Sequence, residues 1–403
     1  MSALDVGTEF AKALVVTVEE EEGSLYGMVR GVGRRRQGLA HMQSGTVSDI
    51  EAVVENCAAA LSDAERMAGL RPRSAAIGIA GELVKGTTST LVARREQPRA
   101  ALSEEELERV VERVQHDALR QAEERISWES GIERLDVRLV HAAIVETKID
   151  GYPVSNPIGF TGAQLEIAIF NAFAPMVHLE ALQSVATALG LQLLGVIAEP
   201  YAVATCLGPG EIGDAGALFV DIGGGTTDVA LVRGGGIAGT KMLALGGRAF
   251  TKGIADRFGL PFDRAEEVKL RREDESVDRG ALEDGLTEDA RVWLAGVELM
   301  IGDLAAGELL PGRVFLCGGG ADLPQVGSVL AESDWWRRLP FARQPQVRPL
   351  DPGEVAGLQD VTGQLVTRQD VTPMALAHQA LILDAQATAV ERAMRRAVRS
   401  LRL

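Results

Sequence analysis

Only three cysteines occur in 403 residues, and Cys57, Cys206 and Cys317 lie far apart in apolar surroundings. That spacing fits neither a metal site nor a disulfide framework, so all three read as buried small hydrophobes in a reducing compartment. Basic residues are also scarce: 41 Lys and Arg against 57 Asp and Glu leave a formal net charge of −16. Such a balance argues against non-specific binding to nucleic acid. Long apolar runs are missing too. The best candidate, Leu189–Leu207, is broken by Glu199-Pro200 and is too poor to span a membrane. The first strand-like segment begins almost at Met1, so no signal peptide is expected and the expected compartment is the cytoplasm. No low-complexity linker of any length occurs. What remains is 46% hydrophobic and 24% charged, enough for two or more domains with their own cores.

The stretch Leu218–Arg233 organises the rest. Leu218, Phe219 and Val220 lead into Asp221, and Val229, Ala230, Leu231 and Val232 lead out of Asp228. This predicts two buried strands joined by a turn of Gly223, Gly224, Gly225, Thr226 and Thr227. Glycines there let backbone N–H groups approach an anion, the threonine hydroxyls add donors, and Asp221 at the strand end can hold Mg²⁺ directly or through water. The plain alternative is an ordinary glycine-rich hairpin. A second copy weakens it: Ala3-Leu4-Asp5-Val6-Gly7-Thr8, followed by the strand-like Ala13–Val18, repeats the pattern about two hundred residues earlier. Two such units facing each other would set two carboxylates and two phosphate-cradling turns around one nucleotide.

Along the chain, residues 2–40 predict a three-strand meander with turns at Gly7-Thr8 and Glu19–Ser24, the Glu19–Glu22 run being a solvated tip. Ser48 is expected to cap a helix reaching about Met67, with Val53, Cys57 and Leu61 on one face. Ala75–Ala80 reads as a strand. Ser103 and Glu106 spell a capping box before a charged helix reaching about Glu124. Strands are expected at Val137–Ile149 and Leu165–Asn171, and helices at Met176–Leu189 and about Thr372–Leu383. Residues 81–165 interrupt the α/β rhythm and read as an inserted, separable subdomain, with a smaller helical insertion over 247–308. Val314–Leu316 leads into a third glycine-rich turn, Cys317-Gly318-Gly319-Gly320-Ala321-Asp322.

The order of these motifs, with Ile197-Ala198-Glu199-Pro200-Tyr201-Ala202 between the first and the second glycine turns, resembles the actin-like ATPase superfamily. The resemblance implies an α/β fold of two ribonuclease-H-like domains around a nucleotide cleft, with an inserted FtsA-type subdomain. The first domain would be 1–80 plus 166–208, and the second 209–246 plus 309–384. It further implies ATP and Mg²⁺ as ligands. Gly7 and Thr8 would form the first phosphate loop and Gly223–Thr227 the second, with Lys12 a phosphate-contacting lysine and Asp5 and Asp221 holding the metal. Gly318, Gly319 and Gly320 would line the adenosine pocket, and Glu266 and Lys269, three apart on one helix face, would contact the ribose. Glu199 could be a capping acid near a helix dipole; the superfamily instead implies that it positions water near the γ-phosphate. With Asp5, Asp221 and Glu199 as the catalytic set and no strong base among them, ATP turnover would be slow.

Within the superfamily the chain looks most like the bacterial cell-division protein FtsA family. Ser103-Glu104-Glu105-Glu106-Leu107, Ile149-Asp150-Gly151-Tyr152 and Asn156-Pro157-Ile158-Gly159-Phe160-Thr161-Gly162 carry that likeness. Lys12, where FtsA proteins place the lysine nearer the loop at Phe10, and Gly246–Lys252 look more like PilM, the pilus-assembly relative. The FtsA likeness implies an adapter linking a ring of the tubulin-like protein FtsZ to the inner face of the membrane, with self-association into filaments. The PilM likeness implies a platform for a pilus or secretion machine, and a small-molecule kinase on the same fold is a third reading. A chaperone ATPase is not expected, since no substrate-binding domain follows residue 384. The tail 385–403 predicts a basic amphipathic helix, with Val390, Met394, Ala397, Val398 and Leu401 on one stripe and Arg392, Arg395, Arg396, Arg399 and Arg402 around it. It could meet an anionic membrane surface or pack on the last domain.

Overall fold

The computed structural model describes residues 1–21, 24–132, 135–213, 215–271 and 277–384. The amphipathic tail lies outside the described residues. Alternating apolar segments separated by glycine turns give β1 (Ser2–Val6), β2 (Phe10–Glu21) and β3 (Ser24–Arg36), an antiparallel meander as expected. A two-strand flap, β4 (Met42–Gln43) and β5 (Thr46–Val47), precedes α1 (Ile50–Ala68). The cap of α1 is Asp49 and not Ser48: the Asp49 carboxylate accepts from the Ala52 amide at 3.1 Å. Buried Val53, Cys57, Ala60, Leu61 and Ala64 form its inward stripe. Then come β6 (Ser74–Ile79), β7 (Lys85–Arg94), α2 (Glu104–Ser130), β8 (Val137–Ile149), β9 (Tyr152–Pro153) and β10 (Gln164–Pro175). Ser103 caps α2 by accepting from the Glu106 amide, but only half of the capping box forms. The Glu106 carboxylate turns away to take both arms of the Arg95 guanidinium, at 2.9 Å each.

The chain continues through α3 (Met176–Ala188), β11 (Gln192–Ala198), α4 (Glu199–Ala204), α5 (Pro209–Ile212), β12 (Ala217–Ile222), β13 (Thr227–Arg233) and β14 (Gly236–Leu243). Three helices follow, α6 (Gly247–Phe258), α7 (Phe262–Arg271) and α8 (Arg279–Ala305). The last part holds β15 (Arg313–Cys317), α9 (Pro324–Glu332), β16 (Gln346–Pro349), β17 (Leu358–Asp360) and α10 (Val371–Asp384). No helix among the described residues is long and apolar enough to cross a membrane.

Two sheets carry the fold. The first runs β11-β6-β1-β2-β3-β17, and the second contains β16-β15-β12-β13-β14 in the corresponding order and sense. The duplication anticipated from Asp5 and Asp221 is therefore real at the level of topology. Apolar side chains of both sheets meet α4 and α10 in one shared core that includes Leu14, Val29, Phe219, Ala230, Met374 and Leu376. Separate clusters fill the outer faces, one under α1 and α3, the other under α6, α8 and α9.

Sheet pairing moves two of the expected boundaries. Strand β10, expected to resume the first domain at residue 166, pairs instead with β7 and β8 along its whole length and belongs to the sheet of the inserted block. The chain after β16 also leaves the second half: β17 pairs with β3, and α10 packs over β1, β2 and β6. Nor does the inserted block stand apart. Its β7 joins β14 through the Thr87–Gly239 pair, so the second sheet continues through β7, β10, β8 and β9. A Cβ at Gly86 would sit 2.2 Å from Thr240 Oγ1, so only glycine permits this approach.

Candidate nucleotide site

The site lies where the glycine turns of the two sheets meet. In the first, the Gly7 amide donates to Phe10 O at 3.1 Å and closes the β1–β2 hairpin. Its register sets Lys12 directly opposite Asp5, and Lys12 Nζ lies 3.0 Å from Asp5 Oδ2 and 2.6 Å from Gln369 O. In the second turn the Gly223 amide donates to Thr226 O at 2.9 Å, and the equivalent register sets Asp228 opposite Asp221. Asp221 Oδ2 accepts from Thr372 Oγ1 at 2.6 Å, at the start of α10. The turns touch: a Cβ at Gly224 would fall 2.8 Å from Glu9 Cβ, and one at Gly225 2.8 Å from Thr8 Oγ1. Side chains at these positions would wedge the two halves apart.

Glu199 opens α4 at the end of β11, over the bare backbone of Gly78, where an added Cβ would lie 2.5 Å from its carboxyl oxygen. Burial, and then the charges of Asp5, Asp228 and Asp221, push its pKa well above the usual carboxylate range, with Lys12 opposing. Burial also raises Asp221, against the Thr372 hydrogen bond and Lys12, and raises Asp228 strongly, Asp221 adding to the effect. Four acids thus share one buried place with a single lysine. This is an environment short of positive charge, made of hard oxygen donors that suit Mg²⁺. Among the described residues no three acidic, histidine or cysteine side chains are grouped to hold a metal unaided. An ion here would need ligand oxygens and water besides Asp5 and Asp221, which is how Mg²⁺ usually sits at phosphates.

The remaining expected residues divide. Gly7 and Gly223–Gly225 are half-buried, while Thr8 and Thr226 are buried beside them. Thr8 Oγ1 accepts from the Gly45 amide at 3.2 Å, which leaves its own proton to donate. The Thr227 hydroxyl is committed elsewhere: wholly buried, it donates to Leu245 O at 2.7 Å and accepts from Trp293 Nε1 at 3.0 Å. Gly318, at φ +80°, fits under Asp221, with its Cβ position 2.2 Å from Asp221 Oδ1, and Gly320 packs equally tightly on Ile222. Gly319 is exposed. Glu266 and Lys269 are buried on α7 and held by one another at 2.6 Å; Lys269 also donates to Gly247 O at 3.0 Å and Thr251 Oγ1 at 2.8 Å. Sequence reasoning had given no role to Asp228, Thr372, Gln369 or Gly78. Asp228 was open to discovery because it lies opposite Asp221 as Lys12 lies opposite Asp5; Thr372 and Gln369 carry no local motif and arrive only through folding.

A family model described as Cell division protein FtsA matches residues 218–366, and one described as MreB/Mbl protein matches 164–258. Among curated proteins, the cell division protein FtsA of Pseudomonas aeruginosa is 29% identical over 66% of this chain and 60% of its own length. The Escherichia coli K12 protein of the same name is 29% identical over 66% of this chain and 59% of its own. The aligned chain therefore spans about 60% of the length of these relatives. Among solved structures, a chain of a PilM-PilN type IV pilus biogenesis complex shares the fold, with a TM-score of 0.67 and 18% identity over 94% of this chain and 98% of that one. The duplicated sheets, the facing glycine turns and these matches together show an actin-like ATPase fold and a similarity to the FtsA family.

Proposed function

We propose that the chain binds ATP with Mg²⁺ between its two glycine turns and serves as a nucleotide-dependent adapter in bacterial cell division. The observation that carries this reading is the convergence of Asp5, Asp221, Asp228 and Glu199 beside two touching turns. Amides of Gly7, Thr8 and Gly223–Gly225 and the hydroxyls of Thr8 and Thr226 would donate to phosphate oxygens. Lys12 orients Asp5 and Thr372 orients Asp221, which would hold the ion. Bound Mg²⁺ would neutralise phosphate charge. Gly318–Gly320 would line the adenosine side, with Glu266 and Lys269 behind it. No strong base stands among Asp5, Asp221 and Glu199, so Glu199 would only position the attacking water, hydrolysis would be slow and the chain would be at most a weak ATPase.

Its partners in this reading are FtsZ, further copies of itself in filaments, and the inner face of the membrane, reached through the basic tail 385–403. The cell-division relatives support it. A pilus-assembly platform is the second reading, favoured by Lys12 and by Gly246–Lys252. Calorimetric titration of ATP with and without Mg²⁺ tests the site. Wild type should show Mg²⁺-dependent binding, and D5N and D221N should each lose at least the roughly 10–100-fold typical of disturbed metal sites. Unchanged Mg²⁺-dependent affinity in both variants would refute the site. Co-sedimentation with FtsZ polymers separates the two partner readings.

A further inference from the structure

One side chain from the second half reaches across to the first at the place where the turns touch. Arg248 opens α6, and its own backbone is fastened to the second turn: the Gly247 amide donates to Gly223 O at 2.9 Å and the Arg248 amide to Gly224 O at 2.8 Å. Its guanidinium leaves that half altogether. Nε meets Glu9 Oε2 at 2.9 Å, one terminal nitrogen donates to Thr8 O at 2.7 Å, and the other lies 3.4 Å from both Leu39 O and Met42 O. Both partners of the ion pair are largely buried, with 15% and 17% of their side chains exposed. Glu9 is held from its other oxygen by Arg36 Nε at 2.7 Å, so it is a fixed anchor.

We propose that Arg248 is a positioning residue of the nucleotide site, one that locks the first glycine turn and the β4–β5 flap onto the second turn. The inference rests on the nucleotide reading above and adds a residue and a consequence to it. A planar guanidinium with several fixed donors suits this task better than a lysine, because it grips a carboxylate and three carbonyls in set directions. The flap is included because Leu39 O and Met42 O flank it and because its tip, Gly45, donates to the Thr8 hydroxyl. Any parting of the turns wide enough to release a nucleotide breaks the Arg248 contacts first. Arg248 therefore sets the rate of release more than the rate of entry.

Two measurements on the full chain test this: release of fluorescently labelled ADP chased by excess ATP in Mg²⁺, and hydrogen exchange of residues 42–47 in the empty protein. R248A should release the probe about tenfold faster or more, the scale of losing a charge-assisted, partly buried contact, with little change in the association rate. E9Q, which removes the same ion pair from the other side with almost no change in shape, should move release the same way, and R248K should recover part of the grip. Exchange of the flap amides should quicken in R248A with no nucleotide present. Release and exchange both equal to wild type in R248A and E9Q would overturn the proposal. A wild-type chain that binds no nucleotide would refute the reading of the site, and flap exchange would still decide on Arg248.

Discussion

The two glycine turns share a topology and differ in charge. Each carries an aspartate one residue before the end of its first strand, and each sets one residue of the returning strand directly opposite; that residue is Lys12 in the first turn and Asp228 in the second. The first turn is therefore a closed ion pair that stands by itself. The second is two like charges facing across an antiparallel ladder, an arrangement that costs stability unless something neutralises it. Duplication has preserved the backbone frame and let the charge diverge. The first turn is organised by the fold, whereas the second is left electrostatically unfinished; in the nucleotide reading proposed above, a cation-loaded phosphate would complete it.

The two sheets also differ in what extends them. Beyond β3 the first gains only the three residues of β17, while beyond β14 the second gains the whole inserted block. Replacing residues 81–165 with a short Gly/Ser loop attacks that difference most directly. It removes β7 and β8, the partners of β10, and so strips the surroundings of Phe170 and Ala172, which are fully buried in the core shared by both sheets. The expected outcome is an insoluble or molten chain, seen as lost cooperative melting. A soluble truncation that still binds ATP would show that the block is an independent module after all.

A smaller effect separates the turns themselves. D5N leaves the Lys12 ammonium without its carboxylate in a place where only 12% of that side chain is exposed, and should destabilise the empty protein by about 3 kcal/mol. D228N removes one of two facing like charges and should stabilise it by up to about 1 kcal/mol. Urea unfolding without nucleotide checks both. Two changes of the same sign would break the contrast between a self-balanced turn and an unbalanced one.

The smallest expected effect is on pH dependence. Glu199, Asp221 and Asp228 all hold protons more tightly folded than unfolded. Their contribution to stability is complete below the ordinary carboxylate range and drains away as pH rises through their raised folded values. His178 and His378 act oppositely: burial lowers both below the ordinary 6.5, so their contribution is present above that value and is lost as pH falls through the lowered ones. Comparing wild type with E199Q cancels the histidines. Wild type should lose stability relative to E199Q as pH climbs above the carboxylate range, and parallel curves would mean that Glu199 titrates like an exposed acid.

Much of the site was legible because its signals are local. Asp-x-Gly-Thr after an apolar strand announces a turn, and the repeat at Asp221 announces a partner. Glu266 and Lys269 were legible as neighbours on one helix face but not as partners, since their mutual pairing with Thr251 depends on how α6 packs on α7. The capping box at Ser103 failed by half because Arg95, just past the end of β7, offered Glu106 a stronger bond than the helix start did. Whether the inserted block is separable was not legible, because a break in sequence rhythm reveals an insertion without revealing what its strands pair with.

By itself, the sequence determined the local periods: which segments alternate as strands, which carry a helical stripe, and where glycine must bend the chain. These depend on side chains a few residues apart, and they already dictated two similar units with an acid at each turn. Tertiary structure alone decided the exchanges between the units: β10 and its block pairing onto β14, β17 and α10 returning to the first sheet, Thr372 reaching Asp221, and Arg248 reaching Glu9. Each joins residues far apart in the chain, and their pairing is set by buried hydrogen-bonding groups and charges finding partners once the shared core has formed.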